Sequence, residues 1–412
     1  MIKVNLRAHR AGLAGCAPGH SCFHEIIGIN RRHTMSRQKH IFEEMFARIG
    51  ITLNGNHPWD IQIKDDRVFS QVLKYKSLGL GESYMEGWWD CRQLDEFIYK
   101  ILTGGLDTKV KGSFKLNLLD LPAILFNLQS KTRSRIVADQ HYDLDNELFM
   151  SFLDPYNQYS CAYFDGTEEL NEAQLKKIEL ICKKIGLRKE NHVLDIGCGW
   201  GGFAKYIVEH YGCTVTGINI SGEQISYARE FCKNLPVQIL NCDYRDLHGS
   251  FDKIISIGMF EHVGRKNYKS FMKAVHRCLK DNGIFLLQTI GNNESQIKCD
   301  PWVNKYIFRN GMLPSINQIS KAIEGLFVME DLHNLGSHYE RTLMAWHKNF
   351  KKAWIKLTNK YDEKFKRMWE YYLLSNAGAF RARYVQLWQI IFTKYGTPQP
   401  SIQTEYAPKS RE

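Results

Sequence analysis

Residues 193–202, Val-Leu-Asp-Ile-Gly-Cys-Gly-Trp-Gly-Gly, constrain this chain more than any other stretch. An apolar run ends in an acidic residue, passes into a glycine-rich turn and leads into the helical pattern FAKYIVEH (203–210). Such a strand, tight loop and helix start lets the backbone approach a ligand closely and aims unpaired helix N–H groups at it, so a nucleotide-like ligand is expected there. The spacing D-x-G-x-G-x-G differs from the dinucleotide fingerprint G-x-G-x-x-G. It sets Asp195 just before the turn, where a carboxylate holds a cationic amino-acid group, which favours S-adenosylmethionine over NAD.

A lone glycine-rich loop is a weak signal, but the next hundred residues continue a doubly wound pattern. Strand-like stretches recur at 213–220 (CTVTGINI), 237–243 (VQILNCD), 251–261 (FDKIISIGMFE) and 283–291 (GIFLLQTIG). Helical stretches separate them. One opens on Ser221, a capping residue, and keeps Ile225, Ala228, Phe231 and Cys232 apolar; another places Phe271, Ala274, Val275 and Cys278 on one face. The expected fold class is α/β, a Rossmann-like methyltransferase domain preceded by a smaller α+β domain.

Composition sets wider bounds. With 412 residues and 44% hydrophobic content, the chain is long enough for one large or two modest domains. No run of 18 apolar residues occurs; the nearest, 116–128, is interrupted by Asp120. The eleven cysteines lack C-x-x-C spacing, which argues for a reducing cytoplasm and against structural zinc. The net charge of +11 points to an anionic partner, either nucleic acid or an acidic phospholipid surface. Residues 1–34 hold Lys3, Arg7, Arg10, Arg31 and Arg32 against Glu25 alone. That stretch reads as a disordered extension or a mis-called start, with a transit peptide as a third option. The expected organisation is that extension, an N-terminal domain over 35–125, a linker over 126–145, a catalytic domain over 146–400 and a tail over 401–412. In the N-terminal part an amphipathic helix, a short strand at WDIQI and a helix-turn-helix over 69–89 are expected. KTRSR (131–135) beside LPAILFNL suits either a linker or a membrane-surface helix.

The runs YSCAYF (159–164), VLDIGCGWGG, GINISGEQ (217–224), DYRDL (243–247), GMFEHVG (258–264), DPWVNKYIF (300–308) and AGAFRAR (377–383) resemble the cyclopropane-fatty-acyl-phospholipid synthases of the mycolic acid cyclopropane synthase family. The resemblance runs from about residue 40 nearly to the end and includes GLGESYMEGWW (79–89) and FNLQSK (126–131). It implies transfer of a methylene group from S-adenosylmethionine to the cis double bond of an unsaturated phospholipid acyl chain, with bound bicarbonate as base. It further implies a homodimer in the cytoplasm, peripherally attached to the inner face of the membrane, with the N-terminal domain helping to hold the lipid.

Carried over residue by residue, the bicarbonate cage falls on Cys161, Glu261, Ile290 and Tyr339, with Cys161 and Ile290 contributing backbone groups. Glu261 is expected to end a strand at the carboxyl edge of the sheet; a capping or solvent-facing role is its plain alternative. His262 reads as structural, and Tyr339 equally fits a core aromatic. Cys161 is not read as a nucleophile, because methyl transfer from sulfur to carbon needs no covalent intermediate. Two positions depart from the family. Gln288 stands where relatives usually carry a histidine touching the bicarbonate; it keeps a donor and an acceptor but cannot titrate. Asn376 stands where relatives often carry a cysteine.

For the cofactor, Gly197 and Gly199 are expected at the methionine end, Asn219 and Gln224 at the ribose, Asp243 and Tyr244 by the adenine, and Tyr159 and Ser160 over the carboxylate. A purely structural role is the alternative for the loop-end residues. No metal site is expected. A methyl-branched or methylene product is the alternative outcome of the same chemistry, and a non-catalytic lipid-binding descendant is another. A nucleic-acid methyltransferase is disfavoured: neither N-P-P-[YF] nor D-P-P-Y occurs, and there is no Pro-Cys pair.

Overall fold

The computed structural model describes residues 37–109 and 145–401. The expected extension at 1–34, the KTRSR segment and most of the tail lie outside the described residues. Seven strands form one sheet in the order β5-β4-β3-β6-β7-β9-β8. They are β3 (His192–Ile196), β4 (Thr214–Asn219), β5 (Val237–Asn241), β6 (Phe251–Ile257), β7 (Leu279–Asn292), β8 (Phe327–Asn334) and β9 (Val385–Lys394). The first five pair in parallel, and β9 lies antiparallel between β7 and β8. Parallel strands sit between two helical layers, so their centres read as continuous apolar runs such as Ile284, Phe285, Leu286 and Leu287 of β7.

The N-terminal part carries a first helix over 37–47 and a ribbon of β1 (Gln62–Ile63) with β2 (Trp89–Asp90). Its other helices are α1 (Arg67–Tyr75), α2 (Ser77–Met85) and α3 (Leu94–Thr103). On the sheet, α4 (Leu170–Ile185) and α5 (Gly202–Tyr211) share one apolar layer with Val193, Val215, Leu286 and Ile391. Helices α7 (Tyr268–Cys278) and α8 (Ile316–Ile323) share the opposite one with Leu194, Phe285 and Ile390. Between β4 and β5 runs α6 (Gly222–Phe231), whose cap Ser221 accepts from the Gln224 N–H at 3.4 Å, as its pattern predicts.

Two long helices, α9 (Gly336–Leu357) and α10 (Glu363–Arg381), join the N-terminal part to the sheet. One cluster of buried side chains runs from Phe42, Phe69, Trp89 and Phe97 through Phe152 and Cys161 to Tyr339, Trp346, Trp369 and Phe380. The contact is close because of Gly378, where a Cβ would lie 2.4 Å from the Asp95 carbonyl oxygen. Arg381 fixes it, donating to Glu340 at 2.7 Å, Glu96 at 2.9 Å and Asp95 at 2.7 Å. Both residues belong to AGAFRAR, so part of that motif joins helices. Among the described residues no helix is long and apolar enough to cross a membrane.

Candidate active site

The glycine-rich turn follows β3 as expected. The N–H groups of Gly197 and Cys198 donate to the Ile218 carbonyl at 2.9 and 3.1 Å, tying the turn to β4. At Gly199, with φ +53°, a Cβ would meet no protein atom within 4 Å, so the turn opens there onto free space. Gly202 does the reverse: a Cβ would lie 1.6 Å from the Tyr156 carbonyl oxygen. That close approach seats the segment 154–161, and with it Tyr159 and Ser160, against the start of α5.

Asp195 ends up buried; burial pushes its carboxyl well up from the ordinary range, and the Lys177 charge partly offsets this. Asn219 and Gln224 are brought together, the amide of Asn219 donating to Gln224 Oε1 at 2.8 Å while its Oδ1 accepts from the Ile220 N–H at 2.7 Å. Asp243 caps the turn Tyr244–Asp246, accepting from the Arg245 N–H at 3.0 Å and pairing with its guanidinium at 3.2 Å. Tyr244 packs on Phe271 with its hydroxyl on Arg245. Tyr159 shares a 2.9 Å hydroxyl contact with Tyr372, and Ser160 Oγ accepts from Lys177 at 3.1 Å.

Glu261 departs from expectation. Strand β6 stops at Ile257, Gly258 turns the chain at φ +68°, and Glu261 lies in the one-turn 3₁₀ helix Phe260–His262 beyond the strand end. That turn swings the carboxylate back toward the next strand, where Oε1 accepts the Ile290 N–H at 2.6 Å. The Ile290 backbone is thereby engaged by Glu261 itself. The other oxygen, Oε2, is buried without a hydrogen-bond partner. Burial raises this carboxyl to about 7, against the lowering effect of the Ile290 bond.

Tyr339, on α9, is buried against Phe380 and Trp346. Burial drives its hydroxyl well above the ordinary phenol range, reinforced by the nearby Tyr372, Cys161 and Glu261. Cys161 and Glu261 thus lie in the electrostatic neighbourhood of Tyr339, and Ile290 is tied to Glu261 by its N–H. Burial likewise keeps the Cys161 thiol protonated, and its Sγ faces the Ala162 carbonyl at 3.2 Å, an inert setting for a nucleophile. Gln288 is buried on β7, accepting through Oε1 from the facing Gln389 at 3.0 Å, while its Nε2 has no partner. Asn376 donates to the Tyr372 carbonyl one turn back at 2.8 Å. His262, its imidazole held neutral by burial, lies edge-on to Phe308. Among the described residues no metal-binding cluster forms.

Lys177, Gln174 and Gln158 escape sequence reasoning. For Gln174 and Lys177 the signal is a broken pattern: the buried stripe of α4 reads Leu170, Ala173, Gln174, Lys177, Ile178, Ile181, Cys182, Lys184, Ile185, with three polar residues on its apolar face.

The sheet order, the glycine turn after β3 and the acidic residue before it define a Rossmann-like, S-adenosylmethionine-dependent methyltransferase. The profile of the mycolic acid cyclopropane synthetase family matches residues 129–390. The cyclopropane-fatty-acyl-phospholipid synthase of Escherichia coli (strain K12) is 52% identical over 354 residues, covering 86% of this chain and 93% of that one. A probable fatty acid methyltransferase of Pseudomonas putida is 35% identical over 62% of this chain and 68% of its own length. Among solved structures, the mycolic acid cyclopropane synthase CmaA1 complexed with SAH and CTAB superposes with TM-score 0.59 at 31% identity, over 63% of this chain and 98% of that one. Coclaurine N-methyltransferase, at 21% identity and TM-score 0.60 over 76% and 99%, shares the fold. The chain belongs to the mycolic acid cyclopropane synthetase family.

Proposed function

We propose that this chain is a cyclopropane-fatty-acyl-phospholipid synthase, converting the cis double bond of an unsaturated phospholipid acyl chain to a cyclopropane ring. The observation that carries the reading is the buried, unpartnered Glu261 Oε2 in the neighbourhood of Tyr339 and of Cys161, the residue that follows Ser160. S-adenosylmethionine supplies an electrophilic methyl, and bicarbonate, when bound, supplies the base that takes one of its protons.

The unpaired polar atoms suit such an oxyanion: Glu261 Oε2 accepts its O–H, while Gln288 Nε2, the Tyr339 hydroxyl and the Cys161 backbone are the groups around it. Glu261 also locks Ile290 in place. An alkene offers no proton to remove before it attacks, so the chain's main work is positioning. Tyr159, Ser160, Asp195, Gly197 and Gly199 hold the methionine end, Asn219 and Gln224 the ribose, and Asp243 and Tyr244 the adenine. Tyr159, Trp200, Trp346 and Phe380 exclude water and turn π faces toward the positive charge that develops on the acyl chain. The enzyme reaches its lipid peripherally, from an anionic membrane surface, as a homodimer.

The test is mass spectrometry of acyl chains after incubation with S-adenosylmethionine, bicarbonate and vesicles of cis-unsaturated phospholipid. A gain of one CH₂ that survives hydrogenation is expected. A gain that becomes an ordinary methyl branch on hydrogenation overturns the ring-forming reading in favour of a methylene product. Gln288→His is expected to keep the cyclopropane product and to add to the pH profile an ionisation near the histidine value of about 6.5, which the glutamine lacks.

A further inference from the structure

We propose that Lys177 is a positioning residue that reads the carboxylate of S-adenosylmethionine through Ser160 and, with Asp195, forms a buried complement to the zwitterionic end of the cofactor. This rests on the placement of the methionine end proposed above.

Lys177 is completely buried on α4, and its Nζ donates to Gln158 Oε1 at 2.5 Å and to Ser160 Oγ at 3.1 Å. An ammonium only donates. Ser160 Oγ must therefore accept, which leaves the hydroxyl's own proton free to be donated outward. By the same logic the Gln158 amide is fixed in orientation, its Nε2 turned to the Tyr156 carbonyl at 3.0 Å. One turn earlier on α4, Gln174 Nε2 clamps the Gln158 and Ser160 carbonyls at 3.2 and 2.9 Å. Holding the segment is thus already the task of a neutral side chain, and the charge on Lys177 calls for a further reason, since a buried ammonium is costly unless an anion meets it.

The ionisable groups facing Lys177 are Asp154, Cys161 and Asp195. Asp154 acts on Lys177 through space as a counter-charge, but its oxygens accept from the N–H groups of Tyr156 and Gln158, at 2.9 and 2.8 Å, and it makes no direct ion pair with the ammonium. Cys161 is a protonated thiol. Asp195 itself faces Lys177 and the thiols of Cys198 and Cys232, both held neutral by burial. A buried cation thus lies beside Ser160, with Asp154 as its neighbouring counter-charge, and a buried acid lies two residues before Gly197. A bound amino acid carries the opposite pair: its ammonium meets Asp195, and its carboxylate meets the Ser160 hydroxyl backed by Lys177.

The test compares binding of S-adenosylmethionine with that of its decarboxylated analogue, which keeps the amine and the sulfonium. The full-length protein is expected to prefer the carboxylate-bearing ligand. In Lys177→Met the Kd for S-adenosylmethionine is expected to rise about tenfold or more, with the analogue changed by less than about threefold and kcat at saturation little affected. Equal weakening of both ligands, or a wild type without preference, overturns the proposal. Should Lys177→Met not fold, Ser160→Ala, which leaves the ammonium in place, is expected to show the same selective loss, and equal loss there overturns it as well. Gly199→Val tests the underlying reading separately, because its side chain projects into the opening: unimpaired binding of S-adenosylmethionine would mean that the cofactor does not sit on this turn at all.

Discussion

Glu261 concentrates the conflict between stability and chemistry in one side chain. Its carboxyl is raised from 4.5 to about 7 by burial, so the folded protein holds that proton more tightly than the unfolded chain does. The stability it contributes is therefore full below pH about 4.5 and is lost as pH rises through about 7, a loss of at most about 3 kcal/mol. Glu261→Gln removes the titration and keeps the shape. Its thermal midpoint in the absence of ligand is expected to exceed that of the wild type by several degrees at pH 8 and to converge with it near pH 4.5, while turnover falls by about 100-fold or more. Calorimetry across that pH range and the acyl-chain assay check the two halves. Glu261 was legible from GMFEHVG, because a carboxylate beyond a parallel strand sits where ligands bind. Lys177 was not, since pattern reading assigns a lysine to solvent, and only the fold shows it facing Ser160. Gln288 was legible as a departure from the family, but its partner Gln389 lies on a strand whose pairing no local pattern announces.

Strands and helices divide in the same way. From β3 to β7 each strand follows a turn or a capped helix, and their positions were readable, with β7 extending to Leu279–Asn292 beyond the expected 283–291. Strands β8 and β9 were not foreseen. β9 is buried along nearly all its length, so it shows no alternation of polar and apolar residues, and it follows α10 after only three residues. Two readings run on too far: β6 to Glu261, although Gly258 already turns the chain, and the helix-turn-helix to Trp89, which instead opens β2. At the crossing of α10 and α3 the close approach depends on a glycine. Gly378→Ala places a methyl 2.4 Å from the Asp95 carbonyl and 3.1 Å from Ile98, so the helices must separate. Overpacking of this kind costs about 1–3 kcal/mol. A thermal midpoint lowered by a few degrees is expected, together with faster amide exchange in α3, because Arg381 then loses its fit to Asp95 and Glu96. An unchanged melt with unchanged exchange would show that this crossing tolerates the added volume.

The whole molecule turns on how the N-terminal part is joined to the rest. Its composition and short elements suggest a small domain of its own, yet its aromatic side chains complete a core begun elsewhere. Tyr84 and Trp89 pack on Tyr371 of α10 at 5.5 and 6.5 Å, and Trp302 reaches Tyr371 at 4.6 Å from the other side. Glu82 receives Lys305 at 2.6 Å and Tyr306 at 2.9 Å, and Arg367 of α10 donates to the Tyr84 and Trp89 carbonyls. Such a seam does not show in a single sequence, because each contact between the N-terminal part and the rest spans more than two hundred residues. Its physical consequence is cooperativity: besides the arginines Arg367 and Arg381, the seam buries Tyr371 and Trp302 against the N-terminal part, and without it these rings would lose their cover, an exposed patch of the kind that drives aggregation. The full chain is expected to unfold in one calorimetric transition without a separate melting of the N-terminal part. A chain lacking residues 1–109 is expected to aggregate on size-exclusion chromatography, although it keeps the glycine turn, the seven strands and all the proposed cofactor contacts. If that shortened chain were instead monomeric and bound S-adenosylmethionine as tightly as the full one, the N-terminal part would be an accessory to the fold, and its role would have to be sought in the lipid alone.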